Sequence, residues 1–163
     1  MNYITAAELR ELVYYDPETG IFTSRVGRVG VSMGTIMGSK HKVLRYIMIG
    51  FRRRKYYAHR LAWLYMTGEW PLNEIDHINL DESDNKWSNL REATSAQNKI
   101  NRRVRRDSKS GEKGIHQISP NSYCVTVIRN YKTVHNKCYK SMDEAKAAFE
   151  SVSRAYSGDF VRV

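Results

Sequence analysis

The feature that most constrains this chain is the shortness of its apolar segments, each of which ends at turn-forming residues. No apolar run approaches the roughly 18 residues that a membrane-spanning helix requires. Hydrophobic residues make up 41% of the 163 residues. That content is typical of globular proteins and too high for a wholly disordered chain. We therefore expect one ordinary domain or two small ones, built from short strands and helices.

The first 70 residues predict a small unit of helices and short strands. Residues 6–13 have the spacing of a short amphipathic helix, and a strong turn at residues 16–20 precedes a strand. Two further apolar strands flank the basic turn Arg52–Arg54 and predict a hairpin. The helix that follows is expected to end at Gly68, with Pro71 beyond it.

The C-terminal residues predict a second module. Alternating apolar and polar residues predict three strands between residues 114 and 140, and a helix begins at Met142 after a capping box formed by Ser141 and Glu144. The intervening segment has no large apolar side chain, which is typical of a linker. The predicted fold class is α+β, with a helix packed on the C-terminal three-stranded antiparallel sheet. The predicted domains are residues 1–106 and 114–163, joined by the linker 107–113.

The charge of the chain favours a polyanionic partner. It carries 27 Lys and Arg residues against 17 Asp and Glu residues, a formal net charge of +10. Cations gain affinity for phosphates by releasing counterions. The N-terminus lacks a secretory pattern, so we expect a soluble cytoplasmic protein with no membrane partner.

The two cysteines, Cys124 and Cys138, are too few for a disulfide framework and do not form a CxxC pair. We expect both to be small side chains that are buried or half-buried.

Residues 74–106 contain dense polar sequence with regular spacing. Asp76 and His77 follow an apolar-leading segment. Asn89 comes twelve residues after His77, and Asn98 comes nine residues after Asn89. These are residue types that can ligate a metal ion or transfer a proton.

Local sequence signals predict that residues 74–106 form a strand, a loop, a second strand and a helix. Residues 90–93 predict a short strand, and a capping box at residues 94–97 begins a helix expected to run toward Arg106. Residues 81–85 are acidic enough to suggest a calcium loop. They lack the glycine and the bidentate glutamate of such a loop, so we interpret them as an ordinary loop.

The window resembles the ββα-metal site of HNH nucleases, particularly phage and intron-encoded homing endonucleases. The resemblance is carried by DHIN at residues 76–79 and by DNKWSNLREATSAQNKINR at residues 84–102. It implies a phage-type nuclease domain with its site at about residues 71–106. The site residues that it implies are the catalytic His77 and Asn89 and the metal ligands Asp76 and Asn98.

Two of these positions carry further expectations from the resemblance. Asn98 stands where many relatives have histidine, which makes the site richer in oxygen ligands. In the resembled family, the counterpart of Asn89 orients the catalytic histidine and tethers the loop.

Phosphodiester hydrolysis explains why these residue types are needed. A neutral imidazole, with an ordinary pKa of about 6.5, can accept a proton from water, so His77 is the candidate general base. Asp76 and Asn98 offer hard oxygen ligands, which suit Mg²⁺ or Mn²⁺. This interpretation requires that Asp76 and Asn98 share one ion and that solvent can reach His77. Adjacent strand residues point to opposite faces, so the strand must also end or bulge at Asp76 and His77.

Residues 113–160, which begin KGIHQISPNSYCVTVIR, resemble the Apetala-type domain of plant ethylene-response factors. In that family three antiparallel strands lie in the DNA major groove and a helix packs behind them. Alternation predicts that Val125 and Val127 face the helix and that Thr126 lies on the open face. The candidate DNA contacts in this module are His116, Thr126, Arg129 and Lys132.

The connector between the two modules is basic. Residues 101–113 contain six Lys and Arg residues and two acidic ones. Arg102 and Arg105 recur at helical spacing from Asn98, where guanidinium groups can bind phosphates. We expect these two residues and Arg106 to contact DNA.

The resemblances imply a metal-dependent endonuclease that acts on double-stranded DNA, with no small-molecule cofactor. One site per chain favours a nicking or homing enzyme that works as a monomer. Two alternatives remain open: a sequence-specific DNA-binding regulator whose nuclease site is inactive, and RNA cleavage or packaging-associated processing.

Overall fold

The computed structural model describes residues 3–27, 30–43, 45–101, 104, 108–129 and 132–157. The chain forms two compact units, Met1–Ser95 and Ala96–Val163. Their sheets are small and antiparallel, and the described residues contain four α-helices, so the predicted α+β class is confirmed. No helix in the described ranges is long and apolar enough to cross a membrane. The domain limits at residues 106 and 114 stay predictions.

The first unit contains short elements joined by turns. In chain order they are α1 (Ala6–Leu12), β1 (Val13–Asp16), β2 (Ile21–Ser24), β3 (Ile36–Met37), β4 (Ser39–Lys40), β5 (Ile47–Phe51), β6 (Arg54–Tyr57), α2 (Ala58–Thr67), β7 (Glu74–His77) and β8 (Leu90–Ala93). The strands form the sheets β1-β2-β3, β4-β5-β6 and β7-β8.

Local capping and turn signals explain where these elements begin and end. Thr5 and Glu8 form a capping box at the start of α1. α2 ends at Gly68, whose φ of 87° is left-handed, as the sequence predicted. The predicted hairpin is confirmed as β5 and β6, which pair from Met48↔Tyr57 to Phe51↔Arg54.

The core of the first unit lies between its two helices and its sheets. The largest fully buried apolar side chains there are Leu9, Tyr15, Phe22, Ile49, Phe51, Leu61 and Leu64. Because α1, α2, β1, β2 and β5 all contribute, this core fixes the elements that surround the β7-β8 hairpin.

The second unit is simpler. α3 (Ser95–Ile100) begins at the boundary between the units and is followed by β9 (Ile115–Ser119), β10 (Ser122–Arg129), β11 (Lys132–Tyr139) and α4 (Met142–Ser157). The sheet order is β9-β10-β11, and Val125 and Val127 are buried together with Ala145 of α4. The predicted three strands, helix and helix-facing side chains are therefore confirmed.

The structure corrects the expectation for the two cysteines. Cys124 of β10 lies directly opposite Cys138 of β11, and the two form a disulfide with their Cα atoms 3.9 Å apart. Cys138 is exposed and Cys124 is half-buried. Directly opposite residues in an antiparallel pair have Cβ atoms close enough to be bridged. Cysteine count and spacing do not reveal that register.

Candidate active site

Asp76 and His77 lie at the end of β7, where the sequence argument required a strand to end. Both are buried, with 4% of Asp76 and 5% of His77 exposed. β7 pairs with β8 so that Asp76 lies opposite Arg91 and His77 opposite Leu90. The hairpin thus holds the carboxylate and the imidazole on two consecutive residues.

Asn85 fixes the orientation of the His77 ring. The Nε2 atom of His77 lies 3.2 Å from Oδ1 of Asn85, which is itself 3% exposed. With the amide in this orientation its oxygen can only accept, so Nε2 carries the proton. A neutral imidazole with its proton on Nε2 has its lone pair on Nδ1. His77 is therefore held in the tautomer that presents a basic Nδ1.

Burial keeps His77 neutral. Desolvation lowers the pKa of His77, and the hydrogen bond to Asn85 and the charges of Asp76, Glu82 and Asp84 offset only part of that effect. At neutral pH the ring is in the unprotonated form that a general base needs.

A second buried histidine lies against His77. The ring of His59 meets that of His77 edge to face, with centroids 5.1 Å apart. Burial, followed by the charges of His77 and Arg60, lowers the pKa of His59 to about 3. Its Nδ1 is buried and has no hydrogen-bond partner among the described residues. Tyr46 completes this cluster, because its ring centroid lies 5.0 Å from that of His59 and 6.0 Å from that of His77.

This packing does not meet the requirement that solvent can reach His77. The aromatic neighbours and the loop that carries Asn85 leave only 5% of the residue exposed. The polar sequence around His77 suggested an open site, but residues distant in the chain cover the ring.

Asp76 forms a charged pair with Arg91. The Nε and Nη2 atoms of Arg91 each lie 2.9 Å from Oδ2 of Asp76. Two donors on one oxygen hold the carboxylate in place on the hairpin.

The chemistry of this site fits a divalent cation. A carboxylate has about four acceptor positions, so two bonds from Arg91 are compatible with metal ligation by Asp76. The described residues contain no group of three or more His, Cys, Asp or Glu side chains that could hold a metal. The Asp76 carboxylate is a hard oxygen donor, of the kind through which Mg²⁺ is bound while it keeps waters and substrate phosphate.

Asn89 ties the loop between β7 and β8 together. It lies at the end of a single 3₁₀ turn and is 8% exposed. Its Oδ1 accepts from the Asn79 backbone N–H at 2.9 Å, and its Nδ2 donates to the Asp84 carbonyl at 2.8 Å. These bonds fit the predicted tethering role, whereas the hydrogen bond of the His77 ring is accepted by Asn85.

The first hairpin of the chain supports the same loop. The Tyr15 hydroxyl donates to the Asn85 carbonyl at 2.7 Å, and the Trp87 N–H donates to the Pro17 carbonyl at 2.9 Å. Gly20, with φ of 73°, lies so close that a Cβ atom there would be 2.5 Å from the Lys86 nitrogen. The early turn therefore holds the segment that orients His77.

The other predicted metal ligand, Asn98, lies in α3, which belongs mainly to the second unit. That Asp76 and Asn98 share an ion stays a prediction. The predicted contacts Arg102, Arg105 and Arg106 lie outside the described residues, as does the side chain of Arg129.

The remaining predicted DNA contacts lie on the second unit. His116 is paired with Cys124 and Thr126 with Asn136, opposite to the helix-facing Val125. His116 and Lys132 are exposed, and Thr126 is half-buried. The placement of Thr126 opposite to the helix-facing residues agrees with the alternation, but contact of these residues with DNA stays a prediction.

Comparison with known proteins gives two matches. Residues 56–100 match the family described as HNH endonuclease. A protein of Acanthamoeba polyphaga mimivirus named as an uncharacterized HNH endonuclease is 31% identical over 108 residues, which are 65% of this chain and 56% of that protein. The chain thus spans about half the length of this relative. No solved structure matches the chain significantly.

Both findings support a nuclease enzyme, as the sequence predicted. The resemblance of the C-terminal module to the Apetala-type domain stays a prediction.

Sequence reasoning missed two residues that contact His77. Asn85 was interpreted only as part of a loop, and no position within that loop distinguished it from its polar neighbours. His59 was not among the candidate site residues, and the available signal was its place at the start of a helix, within the segment that matches the family.

Proposed function

We propose that this protein is a metal-dependent endonuclease that hydrolyses phosphodiester bonds in double-stranded DNA, in the manner of a site-specific nicking or homing enzyme. One observation carries the proposal. The neutral imidazole of His77 is oriented by Asn85 and directly follows the carboxylate of Asp76, within the segment that matches the HNH endonuclease family.

His77 acts as the general base in this proposal. Its Nδ1 takes a proton from a water molecule whose oxygen attacks the phosphorus atom. The bond from phosphorus to the 3′ oxygen breaks, and that oxygen takes up a proton from solvent. The products are a 5′-phosphate and a 3′-hydroxyl end.

Asp76 and Asn98 would hold Mg²⁺ or Mn²⁺. When bound, such an ion neutralises charge that develops on the phosphate in the transition state. Arg91 contributes by fixing the orientation of the Asp76 carboxylate. One such site per chain cuts one strand at a time, so a monomer nicks its target.

A supercoiled-plasmid assay tests this function. Wild-type protein with Mg²⁺ or Mn²⁺ should convert the plasmid to the nicked form. His77→Ala should lower the rate by about 10²- to 10⁴-fold, the contribution typical of general base catalysis. Added imidazole should restore part of the activity of His77→Ala by supplying the missing base.

Because His77 is buried, the variant must be shown to fold. Circular dichroism and DNA affinity in a chelating buffer should match those of wild type. If His77→Ala nicks as fast as wild type across both metals, the catalytic role is disproved.

One observation favours the alternative of a DNA-binding regulator with an inactive site, namely the 5% exposure of His77. Such a regulator would bind duplex DNA but leave the plasmid supercoiled in both metals. The same assay with duplex RNA distinguishes a ribonuclease from both.

A further inference from the structure

One segment of the first unit concentrates positive charge that the proposed active site does not use. Residues 40–55 contain seven Lys and Arg residues and no Asp or Glu. The rest of residues 1–95 contains six basic and eleven acidic residues. A unit whose remaining sequence is acidic thus carries one strongly basic region, which we call the basic sheet and define as residues 40–55.

The fold presents most of these cations to solvent. The basic sheet spans the end of β4, β5, β6 and their connections, and Ile49, Phe51 and Tyr56 anchor it in the core of the unit. The exposed cations are Lys40, Lys42, Arg45, Arg52, Arg53 and Lys55. Buried apolar residues on one side therefore support a cationic outer surface.

Three arginines of the basic sheet have unfavourable backbone conformations. Arg45, Arg52 and Arg53 have φ angles of 58°, 48° and 64°. Arg52 and Arg53 form the two-residue loop between the paired residues Phe51 and Arg54, where Asn-Gly is the preferred sequence. A left-handed conformation costs an ordinary residue about 1–2 kcal/mol. Strain retained at such positions points to a function for the side chains that the turn displays.

The basic sheet is next to the candidate active site. Tyr46, which follows Arg45 in the chain, contacts both His59 and His77. The pKa of Asp81, in the loop between β7 and β8, is lowered first by hydrogen bonds from Ser83 and to a smaller extent by the charge of Lys40. The cations of the basic sheet and His77 therefore lie close together in the first unit.

We propose that the basic sheet binds the sugar-phosphate backbone of the duplex DNA that the active site cuts. Arg52 and Arg53 bind phosphates at the hairpin tip. The cations nearer to His77 also bind the sugar-phosphate backbone, namely Lys40, Lys42 and Arg45. Guanidinium groups suit this role because they form paired hydrogen bonds with phosphate. The inference rests on the proposed function only for the identity of the substrate, and it adds a contact surface outside residues 102–132.

The test replaces the strained arginines by the residues that the turn prefers. In the full chain, Arg52→Asn with Arg53→Gly removes two cations and relieves the backbone. The logarithm of the DNA association constant is measured against the logarithm of salt concentration in a chelating buffer. The slope should become shallower by up to about 1.8, or about 0.9 for each lost phosphate contact, while the unfolding temperature stays equal or rises.

Two control variants separate local contact from net charge. Lys146→Gln with Arg154→Gln removes the same charge from α4 and should leave the slope unchanged. Arg52→Lys with Arg53→Lys keeps the charge and should retain most of the wild-type slope.

An unchanged slope in the Asn-Gly variant would overturn the proposal, as would an equal loss in the α4 variant. An equal loss with duplex RNA would overturn the assignment of DNA as the preferred partner. Plasmid nicking by wild type is scored separately, so failure of the nuclease function and failure of the basic sheet are distinguishable.

Discussion

The two units of this protein differ in how many polar residues they bury. The first unit buries six polar or charged residues, namely Ser24, His59, Asp76, His77, Asn85 and Asn89. The second unit has a small apolar core of Ile115, Val125, Val127 and Ala145, with Asn101 and Ser153 as its buried polar residues. Burying polar groups is costly unless they are hydrogen-bonded, and the loop between β7 and β8 provides hydrogen bonds for His77, Asn85 and Asn89.

The difference fits the proposed reaction site in the first unit. A buried polar network there fixes an imidazole and a carboxylate, which suits a reaction site. In the second unit a helix packs on a sheet through apolar contacts, and the opposite sheet face stays a predicted recognition surface. Substitutions in one unit can test this difference. Tryptophan emission reports on the first unit alone because Trp63, Trp70 and Trp87 all lie there.

The largest expected effect comes from a matched pair of glycine substitutions. Gly20→Ala forces a left-handed residue against backbone atoms of Asn85 and Lys86, so it should destabilise the first unit by more than the about 1–2 kcal/mol of the conformation alone. Because Asn85 orients His77, nicking should also fall. Denaturant unfolding followed by tryptophan emission checks the stability.

Gly114→Ala is the counterpart in the second unit. Gly114 has φ of 68°, and a Cβ atom there would lie 2.7 Å from Cδ2 of Phe149. This variant should lower the free energy of unfolding of the second unit, measured by circular dichroism. The unfolding midpoint measured by tryptophan emission should not change. A shift of the tryptophan transition by both glycine variants alike would contradict the separation of the two units.

The next effect concerns the disulfide of the second unit. Cys124 and Cys138 are 14 residues apart, and closing a loop of about 15 residues contributes about 3 kcal/mol in the chain-entropy model. Reductant should therefore destabilise the second unit by about that amount, as followed by circular dichroism. Cys124→Ser with Cys138→Ser is the control, since reductant should not affect it.

A smaller effect is expected from the amide that orients His77. Asn85→Ala leaves the Nε2 proton of His77 without its acceptor, which should cost about 1–3 kcal/mol of stability and slow nicking. The matched amide is Asn136 on the exposed face of β11, and Asn136→Ala should change stability by less than about 0.5 kcal/mol. Equal losses from the two variants would show that the first unit's network has no special role.

The smallest effect, for a change of one pH unit, is a pH dependence confined to the first unit. The pKa of His59 is lowered to about 3, so between pH 6.5 and 3 the unfolded chain binds a proton that the folded chain does not. Stability should therefore fall as pH decreases through that window, by up to about 1.4 kcal/mol per pH unit from this group. The lowered pKa of His77 acts in the same direction.

His59→Phe should flatten this dependence in tryptophan-monitored unfolding, whereas His116→Phe in the second unit should not change it. If the stability of His59→Phe still falls with decreasing pH as steeply as that of wild type, the assignment to His59 is wrong.

The second unit could be predicted from its sequence almost completely. Alternation identified β9, β10 and β11, the Ser141 cap identified the start of α4, and the helix-facing side chains were correct. These features depend on residues close together in the chain. The disulfide was missed because cross-strand register is not a local property.

The candidate site could be predicted only in part. Asp76, His77 and Asn89 were predicted because their spacing and types resemble a known motif, and their functional roles stay predictions. The burial of His77, its hydrogen bond to Asn85 and its contact with His59 were not predicted. Those contacts depend on elements that begin elsewhere, such as Tyr15, which bonds Asn85 across 70 residues.

By itself the sequence determined the short elements, their caps, the basic charge and the order in which a carboxylate, an imidazole and two amides follow one another. Tertiary structure alone decided which loop residue holds the imidazole, how deeply the ring is buried and how far its pKa falls. The physical reason is that propensity and spacing act over a few residues. Desolvation and hydrogen-bond partners, in contrast, are set by whatever the whole unit packs around each group.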